Sequence, residues 1–217
     1  MSNPIRVLIV DDHLVVRRGV RALLMDVADI AVVGEAGDGR EAVAQARQLQ
    51  PQVILMDLKL PELDGVEATR AILAEQPETG IIVLTAYGVE AQILAAVEAG
   101  ALGYVTKTAG REELLGAIRR VARGELCIPP GLTRQLLAHV HSRSTGTVSE
   151  PLTERENEVL RLIARGWSNQ KIADELCIAE ITVRTHVSHV LAKLGVNNRV
   201  EAALHALRKG LVTLEDS

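Results

Sequence analysis

Five short apolar runs alternate with segments of helical period along the first part of the chain, and this alternation restricts the fold more than any other feature of the sequence. Strands that are apolar on both faces, each followed by a helix, are typical of a parallel sheet covered on both sides. We therefore predict an α/β fold over residues 1–125, with a doubly wound, five-stranded parallel sheet. The predicted strands are 5–10, 30–35, 53–56, 81–84 and 103–106, and the predicted helices lie near 13–25, 39–49, 65–75, 89–98 and 111–122.

The sequence changes character after residue 125. Two prolines open a further predicted helix, PPGLTRQLLAHVH (129–141), and SRSTGTVSEP (142–151) is small, polar and aperiodic. We predict a linker helix and a flexible linker over 126–151, and an all-α four-helix domain over 152–217. Its helices are expected near 153–165, 168–175, 180–194 and 198–209.

The distribution of charge separates the two predicted domains. The formal net charge of the chain is −4, but residues 161–209 carry eight Lys/Arg against four Asp/Glu. A locally basic segment in an acidic chain indicates a phosphate-bearing partner. The N-terminus does not have the pattern of a signal peptide, and no apolar run approaches the roughly 20 residues of a membrane span. We expect a cytoplasmic protein without membrane contact.

Polar residues follow the predicted strands at their C-terminal ends. Asp11 and Asp12 follow the first strand, Asp57 the third, Thr85 the fourth and Lys107 the fifth. Ligands of an open parallel sheet bind beyond this edge, so these groups should lie together. Clustered carboxylates resist ionising together unless a cation compensates them, and an all-oxygen ligand set suits Mg²⁺. Such a site indicates phosphoryl transfer to Asp57.

Two other functions for this edge are disfavoured. GEAGDGREA (34–42) contains the G-x-G-x-x-A pattern of dinucleotide-binding enzymes, but it follows the second strand and would put Asp38 against a pyrophosphate. A phosphohydrolase with Asp57 as nucleophile would need a second Asp two residues later, where this chain has Lys59.

Four motifs resemble, in order and spacing, the strand ends of a CheY-like receiver domain across residues 5–122: LIVDDH, VILMDLKLPELDG, IIVLTA and GYVTK. The resemblance implies a flavodoxin-like fold in which Asp57 accepts a phosphoryl group from a partner histidine kinase. It implies that Asp12, Asp57 and the Lys59 backbone carbonyl hold Mg²⁺, with Asp11 assisting through water. The chain would then be no turnover enzyme, since it catalyses only its own phosphorylation and dephosphorylation.

Tyr104 lies three residues before Lys107, at the switch position of receiver domains. The resemblance implies that its ring turns inward as Thr85 moves toward the phosphoryl group. Its alternative role is that of an edge residue packing on the fourth helix.

Residues 152–203 resemble a LuxR-type helix-turn-helix over their whole length, and a receiver followed by this module is the layout of NarL/FixJ-family response regulators. A capping box of Thr153 and Glu156 fits the start of the first helix. An apolar stripe runs along the third helix through Val183, Val187, Val190, Leu191 and Leu194. Small polar residues beside an Arg face away from this stripe, and such a surface can enter a major groove and contact base edges. By resemblance, the candidates for base contacts are Arg184, Thr185 and Ser188, and those for phosphate contacts are His189, Lys171, Asn169 and Arg199.

Two residues depart from the LuxR-type pattern. Ala179 replaces the usual Ser that caps the third helix, and Lys171 replaces a Glu near the start of the second, where a cation opposes the helix dipole. We predict that Lys171 is kept for a DNA phosphate.

The resemblance also implies partners: double-stranded promoter DNA and a second copy of the chain, in a homodimer formed on phosphorylation or DNA binding. Val200, Leu204 and Leu207 on the last helix could form the dimer seam or pack within their own domain. The alternative function is a receiver with protein–protein output, or one that works without phosphorylation.

Overall fold

The computed structural model describes residues 3–85, 90–127, 151–196 and 198–212. The chain divides into two compact units, residues 1–122 and 123–217. The helix predicted at 129–141, and all but the last residue of the linker predicted at 142–151, lie outside the described residues.

The first unit is a parallel sheet with the strand order β2-β1-β3-β4-β5, and the prediction of a five-stranded, doubly wound α/β fold is confirmed. The order places β2 and β5 at the two edges and makes β1 and β3 neighbours. The chain runs outward from β1 to β2 and then returns to β3 on the other side of β1, so the switch point where ligands bind in such sheets lies between β1 and β3. The strands are β1 (Ile5–Val10), β2 (Ile30–Ala36), β3 (Val53–Asp57), β4 (Gly80–Thr85) and β5 (Gly103–Thr106), and the helices are α1 (Leu14–Leu24), α2 (Gly39–Leu49), α3 (Gly65–Glu75), α4 (Glu90–Glu98) and α5 (Arg111–Ala122).

The central strands form the core because their side chains are apolar on both faces. Three apolar runs are fully buried: Val7 to Val10, Val53 to Met56 and Ile81 to Val83. Since polar groups begin where these runs end, the chemistry of the unit is confined to the carboxyl edge of the sheet.

The α2 and α3 helices begin close to that edge. The Asp38 side chain caps α2 by accepting a hydrogen bond from the Glu41 amide at 2.7 Å, which gives this acid a structural role. Asp64 caps α3. At Gly65, the first residue of α3, a Cβ atom would lie 2.1 Å from the carbonyl oxygen of Asp57, so only glycine lets the helix approach the end of β3.

The second unit is helical within its described residues: α6 (Glu154–Ala164), α7 (Asn169–Leu176), α8 (Glu180–Leu194) and α9 (Arg199–Arg208). The predicted capping box of Thr153 and Glu156 is present, and Ser168 caps α7 by accepting from the Lys171 amide. Ala179 gives α8 no side-chain cap. The predicted apolar stripe packs into the core through Val183, Val187, Val190 and Leu194, with Leu191 partly buried against it.

The apolar face of α9 packs within its own domain. Val200 and Leu204 are 2% and 4% exposed, and Leu207 packs against a cluster that includes Leu160 and Val190. Of the two roles that the sequence left open for this face, the structure therefore supports internal packing rather than a dimer seam.

The described helices include none with the length and apolar character that crossing a membrane requires.

Candidate functional site

The acidic groups at the carboxyl edge meet at Lys107. Asp57, the last residue of β3, is 5% exposed, and its Oδ2 accepts a hydrogen bond from Lys107 Nζ at 2.6 Å. The same Nζ lies 2.7 Å from Oδ2 of Asp11, which directly follows β1 and is fully buried. One ammonium group thus bridges two carboxylates that come from the ends of the neighbouring strands β1 and β3.

The charge on Lys107 is maintained by these contacts. Partial burial lowers the pKa of Lys107, but the contacts with Asp11 and Asp57 outweigh this effect and raise the pKa above its ordinary value. The pocket therefore contains a permanent cation at neutral pH.

The two carboxylate oxygens of Asp11 have different partners. The side-chain oxygen Oδ1 accepts a hydrogen bond from the His13 amide at 2.9 Å. The backbone carbonyl oxygen of Asp11 accepts a hydrogen bond from the Arg17 guanidinium at 2.6 Å. Its Oδ2 is buried and makes the ion pair with Lys107 without a well-aligned hydrogen bond. This oxygen keeps a lone pair for a further cation.

Asp12 lies on the solvent side of the pocket and is paired with His13. The distance from His13 Nδ1 to Asp12 Oδ1 is 2.5 Å, and one possible ligand atom from each of Asp11, Asp12 and His13 falls within 4.8 Å of the others. Carboxylate oxygens of Asp11, Asp12 and Asp57 at one edge suit a hard divalent cation such as Mg²⁺. His13 has no predicted role in the sequence pattern, although its position directly after the Asp pair was a usable signal.

The remaining predicted residues lie just after β3 and on β4 and β5. The Lys59 amide donates to Asp57 Oδ1 over 3.3 Å, and the Lys59 side chain is exposed. Thr85 is 3% exposed at the end of β4, and the Lys107 amide donates to its carbonyl oxygen at 2.8 Å, which ties the ends of β4 and β5 together. Tyr104 is half-buried on β5, in register with Val83.

On α8, the predicted base-reading residues are exposed. Arg184 pairs with Glu180 one turn earlier at 2.8 Å, and the Thr185 hydroxyl donates to the Ile181 carbonyl oxygen at 3.1 Å. Ser188 is exposed on the same helix. Arg184, Thr185 and Ser188 therefore lie on the solvent-exposed surface of the helix.

The predicted phosphate contacts differ in their surroundings. The Lys171 ammonium lies 4.0 Å from the centre of the Trp167 ring, a cation–π contact. Asn169 is buried and accepts from Arg199 at 3.0 Å, while Arg199 also donates to the Trp167 carbonyl oxygen. Asn169 and Arg199 thus join α7 to the start of α9, and their contact with DNA stays a prediction.

His189 belongs to a second charged cluster, which the sequence pattern did not predict. The buried carboxylate of Glu156 accepts from Lys193 at 2.8 Å and lies 3.8 Å from His189 Nδ1. It also accepts from the Thr153 amide. The contacts with Lys193 and Thr153 lower the pKa of Glu156 to about 2. This carboxylate therefore anchors α8 to the start of α6.

Comparison with known proteins assigns both units. Residues 7–119 match the family described as response regulator receiver domain, and residues 150–206 match the bacterial regulatory proteins of the luxR family. The chain is 40% identical over 208 residues to the response regulator protein VraR of Staphylococcus aureus, covering 96% of this chain and 99% of VraR.

Solved structures agree with this assignment. The response regulator ChrA, of a heme-sensing two-component system, is 38% identical with a TM-score of 0.53, and the match covers 97% of this chain and all of ChrA. RcsB, solved as two dimers bound to two DNAs, is 29% identical with a TM-score of 0.55, over 95% of this chain and 98% of RcsB. The chain therefore belongs to the NarL/FixJ family of two-component response regulators, transcription regulators that join a receiver domain to a LuxR-type DNA-binding domain.

Proposed function

We propose that a histidine kinase phosphorylates Asp57 and that this modification controls DNA binding through α8. The observation that carries the proposal is the bridge made by Lys107 between Asp57 and Asp11. A buried carboxylate held beside a cation, at the switch point of the sheet, is suited to receive a phosphoryl group.

The residues of the pocket fit a magnesium ion. Asp12, Asp57 and the backbone carbonyl of Lys59 would hold it, with Asp11 assisting through water. Asp11 Oδ2, which is buried and lacks a well-aligned hydrogen bond, supports this assignment. When bound, Mg²⁺ supplies positive charge against the phosphoryl oxygens.

The transfer itself is carried by the carboxylate. An oxygen of Asp57 attacks phosphorus, the new O–P bond forms in line with the departing nitrogen of the donor histidine, and that nitrogen keeps the electron pair of the broken bond. Lys107 then moves its hydrogen bond from Asp57 to a phosphoryl oxygen. The Thr85 hydroxyl donates to another phosphoryl oxygen, and the ring of Tyr104 follows Thr85 inward.

The output is DNA binding by a dimer. We propose that Arg184, Thr185 and Ser188 contact base edges in the major groove and that Lys171 and His189 contact phosphates. A dimer matches two half-sites about one helical turn apart. The RcsB complex, in which dimers bind DNA, supports this arrangement for a relative of the same layout. The proposal requires a cytoplasmic protein, because promoter DNA and the kinase's phosphohistidine must both be accessible.

The experiment that tests the proposal is phosphorylation of the purified full chain by acetyl phosphate with Mg²⁺. Intact-mass measurement should show one added phosphoryl group in the parent chain and none in Asp57→Asn. Asp64→Asn is the matched control, because asparagine caps a helix as well as aspartate does and Asp64 is the cap of α3. Phosphorylation of Asp57→Asn at the parent's level would refute the assignment. A parent chain that is phosphorylated without a change in DNA affinity would instead favour phosphorylation-independent or protein–protein output.

A further inference from the structure

Ile181, in the first turn of α8, is 68% exposed. The other large apolar side chains exposed to a comparable degree among the described residues are Leu14, Val15 and Met25, all in the receiver unit. Ile181 belongs to neither apolar cluster of the DNA-binding unit. Packing within the described part of its own domain therefore gives no reason for an isoleucine at this position.

The position of Ile181 on the helix places it on the outer face. At about 100° per residue, residues 181, 185, 188 and 192 lie opposite the buried Val183, Val187 and Val190. All four are exposed. This face contains the predicted base-reading residues Thr185 and Ser188, and Ile181 is the bulkiest apolar side chain on it.

The other groups near Ile181 are polar but already hydrogen-bonded within the helix. The Thr185 hydroxyl proton is used by the Ile181 carbonyl oxygen at 3.1 Å, and Arg184 pairs with Glu180 at 2.8 Å. Ile181 itself has no group that could bind a phosphate. Its contribution to a DNA complex would have to be apolar contact with the floor of the groove.

The major groove offers one apolar group to such a residue, the C5-methyl of thymine. Residues in the N-terminal turns of a recognition helix are those that contact base edges. We infer that Ile181 packs against a thymine methyl in the major groove and so selects a T·A pair at one position of each half-site. This inference rests on the proposed function, because it requires α8 to enter the groove.

The test removes the methyl group from the DNA and the side chain from the protein separately. Preferred duplexes are first selected from a random-sequence library with the phosphorylated full chain. Each thymine of the selected half-site is then replaced, one at a time, by deoxyuridine, which lacks only the methyl. The parent chain should lose about fourfold in affinity at one position, the value of one buried methyl group. Ile181→Ala should bind the thymine and uracil duplexes equally at that position.

Two further variants keep the test specific. Ile181→Leu retains an apolar side chain of the same size and should retain sensitivity to the methyl. Val15→Ala removes an exposed apolar residue of the receiver unit and should show the parent's fourfold difference. Equal losses on uracil for the parent and Ile181→Ala would overturn the inference. So would an Ile181→Ala variant that changes only self-association, measured by sedimentation, because Ile181 would then cover a protein surface.

Failure of the inference can be distinguished from failure of the proposed function. A chain that selects no duplex from the library contradicts DNA binding through α8, and the inference falls with it. A chain that selects a duplex but ignores uracil at every position contradicts only the role of Ile181.

Discussion

The ammonium group of Lys107 compensates the negative charge of two buried carboxylates, and removing it should leave these carboxylates to repel each other. We expect Lys107→Met, measured by urea unfolding without Mg²⁺, to lose roughly 3 kcal/mol, because breaking a buried ion pair leaves uncompensated charge. Part of the loss should return when Mg²⁺ is added, since a cation at the same edge restores the compensation. Lys59→Met is the control, as the Lys59 side chain is exposed. Equal stability of Lys107→Met and the parent would contradict the electrostatic account.

Glu156 should make the stability of the DNA-binding unit depend on acid pH. Its pKa is lowered from 4.5 to about 2, chiefly by the hydrogen bond from Lys193. A depressed carboxyl pKa stabilises the fold above the unfolded-state value, and this stability is lost as pH falls from 4.5 toward 2. Glu156→Gln should therefore lose about 1–2 kcal/mol at neutral pH and show a shallower acid dependence.

Fluorescence of Trp167 is the measurement for Glu156→Gln, because this is the chain's single tryptophan and it lies in the same unit. Glu158→Gln is a matched control: Glu158 pairs with Arg155 three residues away on the same helix and is half-exposed. Identical acid profiles for the parent and Glu156→Gln would show that the anchor contributes nothing.

At the scale of elements, α3 depends on a glycine that touches the phosphoacceptor strand. Gly65→Ala would put a Cβ atom 2.1 Å from the Asp57 carbonyl oxygen, so the helix must move away from β3. We expect a loss of roughly 2 kcal/mol or more from overpacking, together with slower phosphorylation by acetyl phosphate. Gly116→Ala in α5 is the matched control, because its Cβ would meet nothing within 4 Å. That change should be neutral or stabilise by about 0.5–1 kcal/mol.

The missing cap of α8 can be supplied. Ala179 has the extended backbone of an N-cap residue, with φ −70° and ψ 146°, but no side-chain acceptor. Ala179→Ser should raise the stability of the DNA-binding unit by about 1 kcal/mol, measured by thermal unfolding. Ala192→Ser, on the exposed face of the same helix, should not stabilise it. A gain of equal size in both variants would point to solvation rather than capping.

The sequence predicted elements better than it predicted contacts. All five strands were located to within one residue at each end, because buried strands in this sheet are unbroken apolar runs such as Val53 to Met56. Contacts between distant residues could not be read this way. The Glu156–Lys193 pair joins positions 37 residues apart, and Arg199–Asn169 joins positions 30 apart. Ile181 was missed because an apolar residue two positions before Val183 does not look like part of a polar face.

At the scale of the whole molecule, phosphorylation should alter how DNA binding responds to salt. If the phosphorylated chain binds as a dimer, it contacts about twice as many phosphates, and the slope of log affinity against log salt steepens in proportion. We expect this steepening in mobility-shift titrations of the parent chain with acetyl phosphate, and not in Asp57→Asn. An unchanged slope on phosphorylation would exclude coupling through dimer formation.

The same titration tests the role of Lys171. Lys171→Glu should make the slope of log affinity against log salt shallower by about one for each bound domain.

The five strands do not contribute equally to the pocket, and their order has a mechanical consequence. Asp11 and Asp57 extend from β1 and β3, which have strand neighbours on both sides, whereas Lys107 and Tyr104 belong to β5 and its end, at the margin of the sheet. Among the described strands, the four-residue β5 is hydrogen-bonded to β4 alone, so it can shift without separating the rest of the ladder. The phosphoacceptor Asp57 thus lies on a strand held from both sides, whereas Tyr104 lies on, and Lys107 directly after, a strand that is freer to move. Movement of β5 can therefore transmit the phosphorylation state of the pocket to the surface of the domain.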